Sequence, residues 1–140
     1  MDIITVAFNQ WIGLRRPSKP ETALLELEPT GQHLNHLGTV HASAQFALAE
    51  ACSGEFLLRE FAGHEGDYAP VVRRAESKFR KPANGLLAAR ATVDPAELQK
   101  FKADLETKKR ALVTINVDVF DAHDVVTLSA AFEWFIQRIN

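Results

Sequence analysis

The chain has 140 residues, 46% of them apolar and 24% charged, with a formal net charge of −2. That length fits one domain, residues 1–140, and that balance suits a globular protein. The near-neutral charge excludes the broad basic field that gathers nucleic acid. Cys52, the sole cysteine, excludes an intrachain disulfide. Met1 to Leu14 is too short and too broken by polar residues to span a bilayer, and it lacks the basic start of a secretory signal. We therefore expect a cytoplasmic protein with neither nucleic acid nor membrane as a partner.

Ile4, Ala7, Phe8 and Trp11 recur at helical spacing behind Asp2, a suitable N-cap. They predict an N-terminal helix within residues 1–14, stopped by Gly13, Pro17 and Pro20. Thr22 to Glu28 alternates, with Ala23, Leu25 and Leu27 on one side, and predicts a first strand. Pro29 to Gly38 is a polar connection. Residues 40–61 read as one long helix, ended by Gly63 and spanning roughly 33 Å. In its first half Ala42, Ala44, Phe46, Ala47, Leu48, Ala49, Ala51 and Cys52 point almost all round the axis, and a helix apolar all round is a buried one.

Beyond the helix the pattern turns to strands. Pro70 to Arg80 and Leu86 to Val93 read as two strands joined by the turn Lys81-Pro82-Ala83-Asn84-Gly85. Asp94-Pro95-Ala96-Glu97 opens a short helix, with Asp as cap, Pro at the first turn and Glu97 placed to complete a capping box. Leu98, Phe101 and Leu105 give it one apolar stripe. Ala111 to Asp121 alternates with Val113, Ile115, Val117 and Val119 on one face. After a turn at Ala122-His123-Asp124, Val126, Leu128, Ala130, Phe132, Trp134 and Ile136 alternate in their turn, so the pair reads as a long antiparallel hairpin. The expected class is α+β, a curved antiparallel sheet wrapped around a long central helix.

Between Ala42 and Gly54 the only formally charged residue is Glu50. A carboxylate in an apolar wall is costly unless it is paired, hydrogen-bonded or protonated, so Glu50 is a functional candidate. Exposure on one side of the helix, or an ion pair with Arg73 or Lys78, would explain it equally. Ser43, Phe46, Ala47 and Gly54 share its face, and their small members leave room either for a ligand or for close packing against the sheet. The stretch Asn35-His36-Leu37-Gly38-Thr39-Val40-His41 brings polar groups to a helix start, where free N–H groups and the helix dipole favour developing negative charge. Thr39 would equally serve there as a simple N-cap.

The run Asn35-x-x-Gly38-x-x-His41-Ala42-Ser43, then Leu48-Ala49-Glu50-x-x-x-Gly54, resembles the pattern of the hotdog-fold acyl-CoA thioesterases. Phe79-Arg80-Lys81-Pro82-Ala83-Asn84-Gly85-Leu86-Leu87-Ala88-Ala89 resembles a second motif of that family. The likeness runs from about Thr22 to Gln137 and is nearest to the phenylacetyl-CoA-type branch. It implies a hotdog fold of five to six strands around the central helix. It also implies hydrolysis of an acyl thioester to acid and thiol, with coenzyme A entering as part of the substrate and no other cofactor.

By the resemblance, Glu50 is the nucleophile or general base, the Ala42 backbone N–H is the oxyanion donor, and Asn35 holds the thioester or the water. Gly38, His41, Ser43, Phe46 and Gly54 shape the substrate pocket. Two glycines of the family pattern are Ala42 and Ser43 here, which narrows the approach. The family also implies a homodimer or a dimer of dimers.

Arg73, Arg74, Lys78, Arg80 and Lys81 form a basic cluster. Arg80 and Lys81 are candidates for the coenzyme A phosphates, against the simpler reading of a charged strand edge. His33, His36 and His41 lack a carboxylate or cysteine at ligand spacing, so no metal site is expected. Cys52 reads as core rather than nucleophile. Two rivals to the thioesterase reading remain. One is a hotdog dehydratase or hydratase using His36 with Glu50. The other is a non-catalytic acyl-CoA-binding module, suggested by Ala42 and Ser43.

Overall fold

The computed structural model describes residues 1–139. Five strands form one antiparallel sheet in the order β1-β3-β4-β5-β2, curved around helix α2. The strands are β1 (Leu25–Leu27), β2 (Tyr68–Phe79), β3 (Leu87–Thr92), β4 (Arg110–Phe120) and β5 (Val126–Arg138). The helices are α1 (Ala7–Ile12), α2 (Ala42–Glu60) and α3 (Pro95–Lys108).

The alternation in the last two strands sets the inner face of the sheet. Val113 lies opposite Trp134, Ile115 opposite Phe132, Val117 opposite Ala130 and Val119 opposite Leu128, and all eight are buried. Ala89 and Leu87 of β3 and Leu25 and Leu27 of β1 extend this face, also buried. Helix α2 lies against it through Ala44, Leu48, Ala51, Cys52 and Leu57. Small side chains on α2 allow the close approach. At Gly54 a Cβ would stand 3.2 Å from Ile3 Cδ1, so Ile3 would have to give by a few tenths of an ångström, and at ordinary contact distance, 3.6 Å, from the Trp134 ring.

Several boundaries differ from the sequence pattern. The N-terminal helix divides into a 3-10 turn over Ile3–Thr5, capped by Asp2, and the short α1. Gly13, in the left-handed region at φ 91°, stops α1 by donating its N–H to the Asn9 and Gln10 carbonyls. Phe8 and Trp11 face solvent while Asn9 is buried, with its Nδ2 donating to the Ile3 carbonyl at 2.9 Å. A helix of six residues leaves most of its N–H and C=O groups without helical partners, and here it is Asn9, bonded to Ile3, that turns inward rather than the stripe that the periodicity suggests.

Helix α2 starts at Ala42, and His41 rather than Thr39 is its N-cap, Nδ1 accepting from the Ser43 N–H at 2.9 Å. Val40 stays extended and donates its N–H to the Ala83 carbonyl. In α3, Asp94 caps as its sequence suggests, accepting from the Ala96 N–H at 2.9 Å. Glu97 does not close a capping box; it accepts from the Thr114 N–H at 2.8 Å and ties α3 to β4. The strands either side of the Lys81–Gly85 turn are not paired with each other. β2 pairs with β5 at one edge of the sheet, and β3 lies between β1 and β4.

Candidate functional site

The start of α2 is held by backbone hydrogen bonds on three sides. Val40 reaches Ala83, the His41 N–H reaches the His33 carbonyl, and the Ala44 and Gln45 N–H groups both reach the His41 carbonyl. With the Ser43 N–H taken by the His41 ring, the Ala42 N–H is the donor of this first turn without an intramolecular partner among the described residues. Free donors at a helix start, reinforced by the helix dipole, suit a developing oxyanion.

Beside that turn an open groove of about 610 Å³ is lined by Phe8, Ala42, Ser43, Phe46, Ala47, Glu50 and Phe79. Glu50 is half-buried, and its carboxylate forms no hydrogen bond or ion pair among the described residues. Burial pushes its pKa above the ordinary 4.5, because the apolar wall disfavours the charged form. Neither Arg73 nor Lys78 pairs with it. Arg73 sits over the Phe135 ring at 5.7 Å, and Lys78 lines a separate depression on the sheet.

Glu50, Ala42, Ser43 and Phe46 are thus brought together, and the other expected residues lie elsewhere. Asn35 spends its side chain on its own loop: Oδ1 accepts from the Leu37 and Thr39 N–H groups and Nδ2 donates to the Thr39 hydroxyl at 2.8 Å. Gly38, at φ 78°, closes that same loop. His41 caps the helix, and Gly54 is covered by Ile3 and Trp134.

Arg80 turns to the other side of the sheet. Its Nε donates to the Ser129 hydroxyl at 2.8 Å, which in turn donates to Asp118 at 3.0 Å. These three residues help to line a depression of about 480 Å³. Lys81 is exposed in the following turn.

Phe8 and Phe79 join the groove without having been singled out as site residues. Phe79 opens the second sequence motif, and Phe8 is masked by a periodicity that reads as core. Glu55 carries no signal in the sequence beyond its position on α2. It is 6% exposed, accepts from Arg16 Nη1 at 2.6 Å and lies 3.3 Å from Arg59 Nε. Among the described residues there is no cluster of three or more His, Cys, Asp or Glu fit to hold a metal, and no helix long and apolar enough to cross a membrane.

Solved structures share this fold. A Pseudomonas aeruginosa protein of unknown function, described as a probable thioesterase, is 24% identical with a TM-score of 0.79; the match covers 98% of this chain and 91% of that one. A Chlorobaculum tepidum protein of unknown function is 20% identical with a TM-score of 0.77, over 96% of this chain and 88% of the other. A Bacillus halodurans protein solved with CoA is 17% identical with a TM-score of 0.63, over 80% and 65%. The chain therefore shares the fold of these proteins, the α+β hotdog fold that the sequence motifs imply. No curated protein matches the chain. Residues 16–136 match the family described as a domain of unknown function, DUF4442, and the chain belongs to that family.

Proposed function

We propose that the chain hydrolyses an acyl-CoA, or a related acyl thioester, to a free acid and a thiol. The observation that carries this reading is Glu50, an unpaired carboxylate in a largely apolar groove that is also lined by Ala42, whose N–H has no partner among the described residues. A fold shared with a protein described as a probable thioesterase and with one solved with CoA supports it.

Glu50 and Ala42 are eight residues apart on one helix, an axial separation of roughly 12 Å. The Glu50 side chain leans back toward the helix start and shortens that interval, yet leaves room for a water between carboxylate and carbonyl. We therefore favour the general-base role. Glu50 takes a proton from water, the hydroxide adds to the thioester carbonyl, and the oxyanion accepts from the Ala42 N–H. Collapse of the adduct breaks the C–S bond, and the departing thiolate takes its proton from Glu50.

No histidine lines the groove. His36 is exposed on the preceding loop, so the geometry lends nothing to a dehydratase pairing of His36 with Glu50. β2 is an edge strand, exposed on both faces from Arg73 to Phe79, and it offers the sheet edge on which a homodimer or dimer of dimers would form.

The reading is tested by thiol release from an acyl-CoA panel. The wild type is expected to release thiol, and Glu50→Gln to lose about 10²–10⁴-fold in kcat, the usual worth of a positioned base. Equal rates in both proteins would remove Glu50 from the chemistry. Binding of acyl-CoA without turnover by the wild type would make the chain a binding module instead.

A further inference from the structure

The groove has a wall that does not belong to the sheet-and-helix body. Phe8, from α1, lines the groove together with Phe46 of α2 and Phe79 at the end of β2. Phe8 is 55% exposed and its neighbour Trp11 is 73% exposed, the two rings 5.9 Å apart, so an aromatic ridge continues the groove outward.

The segment that carries this ridge is anchored at both ends. Ile3 rests in the notch left by Gly54, and Arg16 bridges Asp2 to the buried Glu55. At the end of α1, His33 Nε2 donates to the Ile12 carbonyl at 2.6 Å, while Nδ1 accepts the Thr30 N–H. Those ties, at the two ends of the segment, set where the aromatic pair stands relative to the groove.

We propose that Phe8 is a specificity-determining residue, and that with Phe46 and Phe79 it selects bulky hydrocarbon acyl groups, aryl or medium-chain, over acetyl. The proposal rests on the thioesterase reading of Glu50 and adds the substrate class. Apart from Ser43 and Glu50 every side chain on the groove is apolar, and about 610 Å³ is far more than a methyl group fills. An acyl chain whose carbonyl reaches the Ala42 N–H has only hydrocarbon to meet beyond it. Pockets of about 300–1,000 Å³ lined by apolar and aromatic side chains with few polar groups are the usual form of small-molecule sites.

The experiment compares acetyl-CoA, octanoyl-CoA and phenylacetyl-CoA on the wild type, Phe8→Ala and Phe8→Leu. The wild type is expected to prefer the two bulky substrates. Phe8→Ala should lower kcat/KM for them by about ten- to a hundredfold, the scale of a lost hydrocarbon contact in a pocket, and lower that for acetyl-CoA far less. Phe8→Leu should restore most of the preference. Because Phe8 is exposed, both variants are expected to fold, which thermal melts check.

A second measurement separates the two readings. Octanoyl-CoA binding is titrated calorimetrically on Glu50→Gln with and without Phe8→Ala, so it needs no turnover. Weaker binding in the double variant supports the wall even where the wild type hydrolyses nothing, an outcome that would discard only the thioesterase reading. Equal binding by the two proteins, or a Phe8→Ala loss that is the same for acetyl and octanoyl groups, overturns the proposal. So does a fall from dimer to monomer on Phe8→Ala, which would give the ridge to a second copy of the chain.

Discussion

At Glu50, catalysis and stability pull in opposite directions. Burial raises its pKa in the folded protein above the ordinary 4.5, so the folded state holds this proton to a higher pH than the unfolded chain does. The stabilisation is present in full below the unfolded value and is lost as pH rises through the folded one. Above that window the ionised carboxylate is a standing cost. Glu50→Gln is therefore expected to raise Tm at neutral pH while abolishing most turnover, and to lose that advantage as pH falls toward 4.5. A general base must be ionised, so kcat/KM should rise with pH through a midpoint above that of a free glutamate. Melting curves of both proteins across pH, with a pH–rate profile, check the two signs together. Three residues on, Ser53 is completely buried; its hydroxyl accepts from Trp134 Nε1 at 2.9 Å and donates to the Glu50 carbonyl at 2.7 Å. Ser53→Ala strands a buried indole N–H and should cost about 1–3 kcal/mol in urea unfolding. An unchanged midpoint would mean that the indole finds another acceptor.

Among the elements, the N-terminal segment depends most on a few contacts. Arg16 joins Asp2 on that segment to Glu55 on α2, and Glu55 is only 6% exposed. Arg16→Ala leaves Glu55 with Arg59 alone, itself largely exposed. The half-exposed arginine screens part of the loss, so the expected cost is about 1–2 kcal/mol rather than the 3–5 of a fully buried pair. If Arg16 only decorates the surface, chemical denaturation will show no difference. This contact also marks where the sequence stops being informative. Alternation in β4 and β5, and the apolar first half of α2, are local patterns, and they gave the inner face of the sheet and the buried helix directly. Charge isolation in α2 singled out Glu50 in the same way. Pairing is not local: nothing in Pro70–Arg80 or Leu86–Val93 says that β5 and β4, rather than each other, are their neighbours. The periodicity of Ile4, Ala7, Phe8 and Trp11 fixes a face but not its direction, and here Phe8 and Trp11 are exposed. Of the expected site, Ala42, Ser43, Phe46 and Glu50 on α2 met at the groove, whereas Gly54 was covered by Ile3 and Trp134, and Asn35 and Arg80 had their partners chosen by loop closure and by the outer face of the sheet.

Across the whole molecule the sheet order puts β4 and β5 inside, each paired on both sides, and leaves β1 and β2 at the edges. Cooperative stability should follow that order. Asn116 to Val119 pair with β3 on one side and β5 on the other, Leu128 to Ile136 pair with β4 and β2, and both stretches carry buried inner-face residues. Their amides can exchange only when the sheet itself opens, so they should report the global unfolding free energy. The N-terminal segment is different. Its helix has six residues and two largely exposed aromatics, and the segment is held by Ile3, Asn9, Arg16 and His33 and, beyond the helix, by one bridge from Arg15 to Glu26 of β1. Segments with few buried contacts open at a fraction of the global cost. Native-state hydrogen exchange is expected to show α1 amides exchanging through a local opening several kcal/mol cheaper than that of β4. The groove then joins a rigid wall, built by α2 and bearing Glu50, to a wall that can detach. Octanoyl-CoA on Glu50→Gln should slow exchange in α1 far more than in β4, because the ligand ties the loose wall to the fixed one. Equal protection of α1 and β4 without ligand would place the N-terminal segment in the same cooperative unit as the sheet. The acyl group would then enter a preformed groove whose walls open only when the whole domain unfolds.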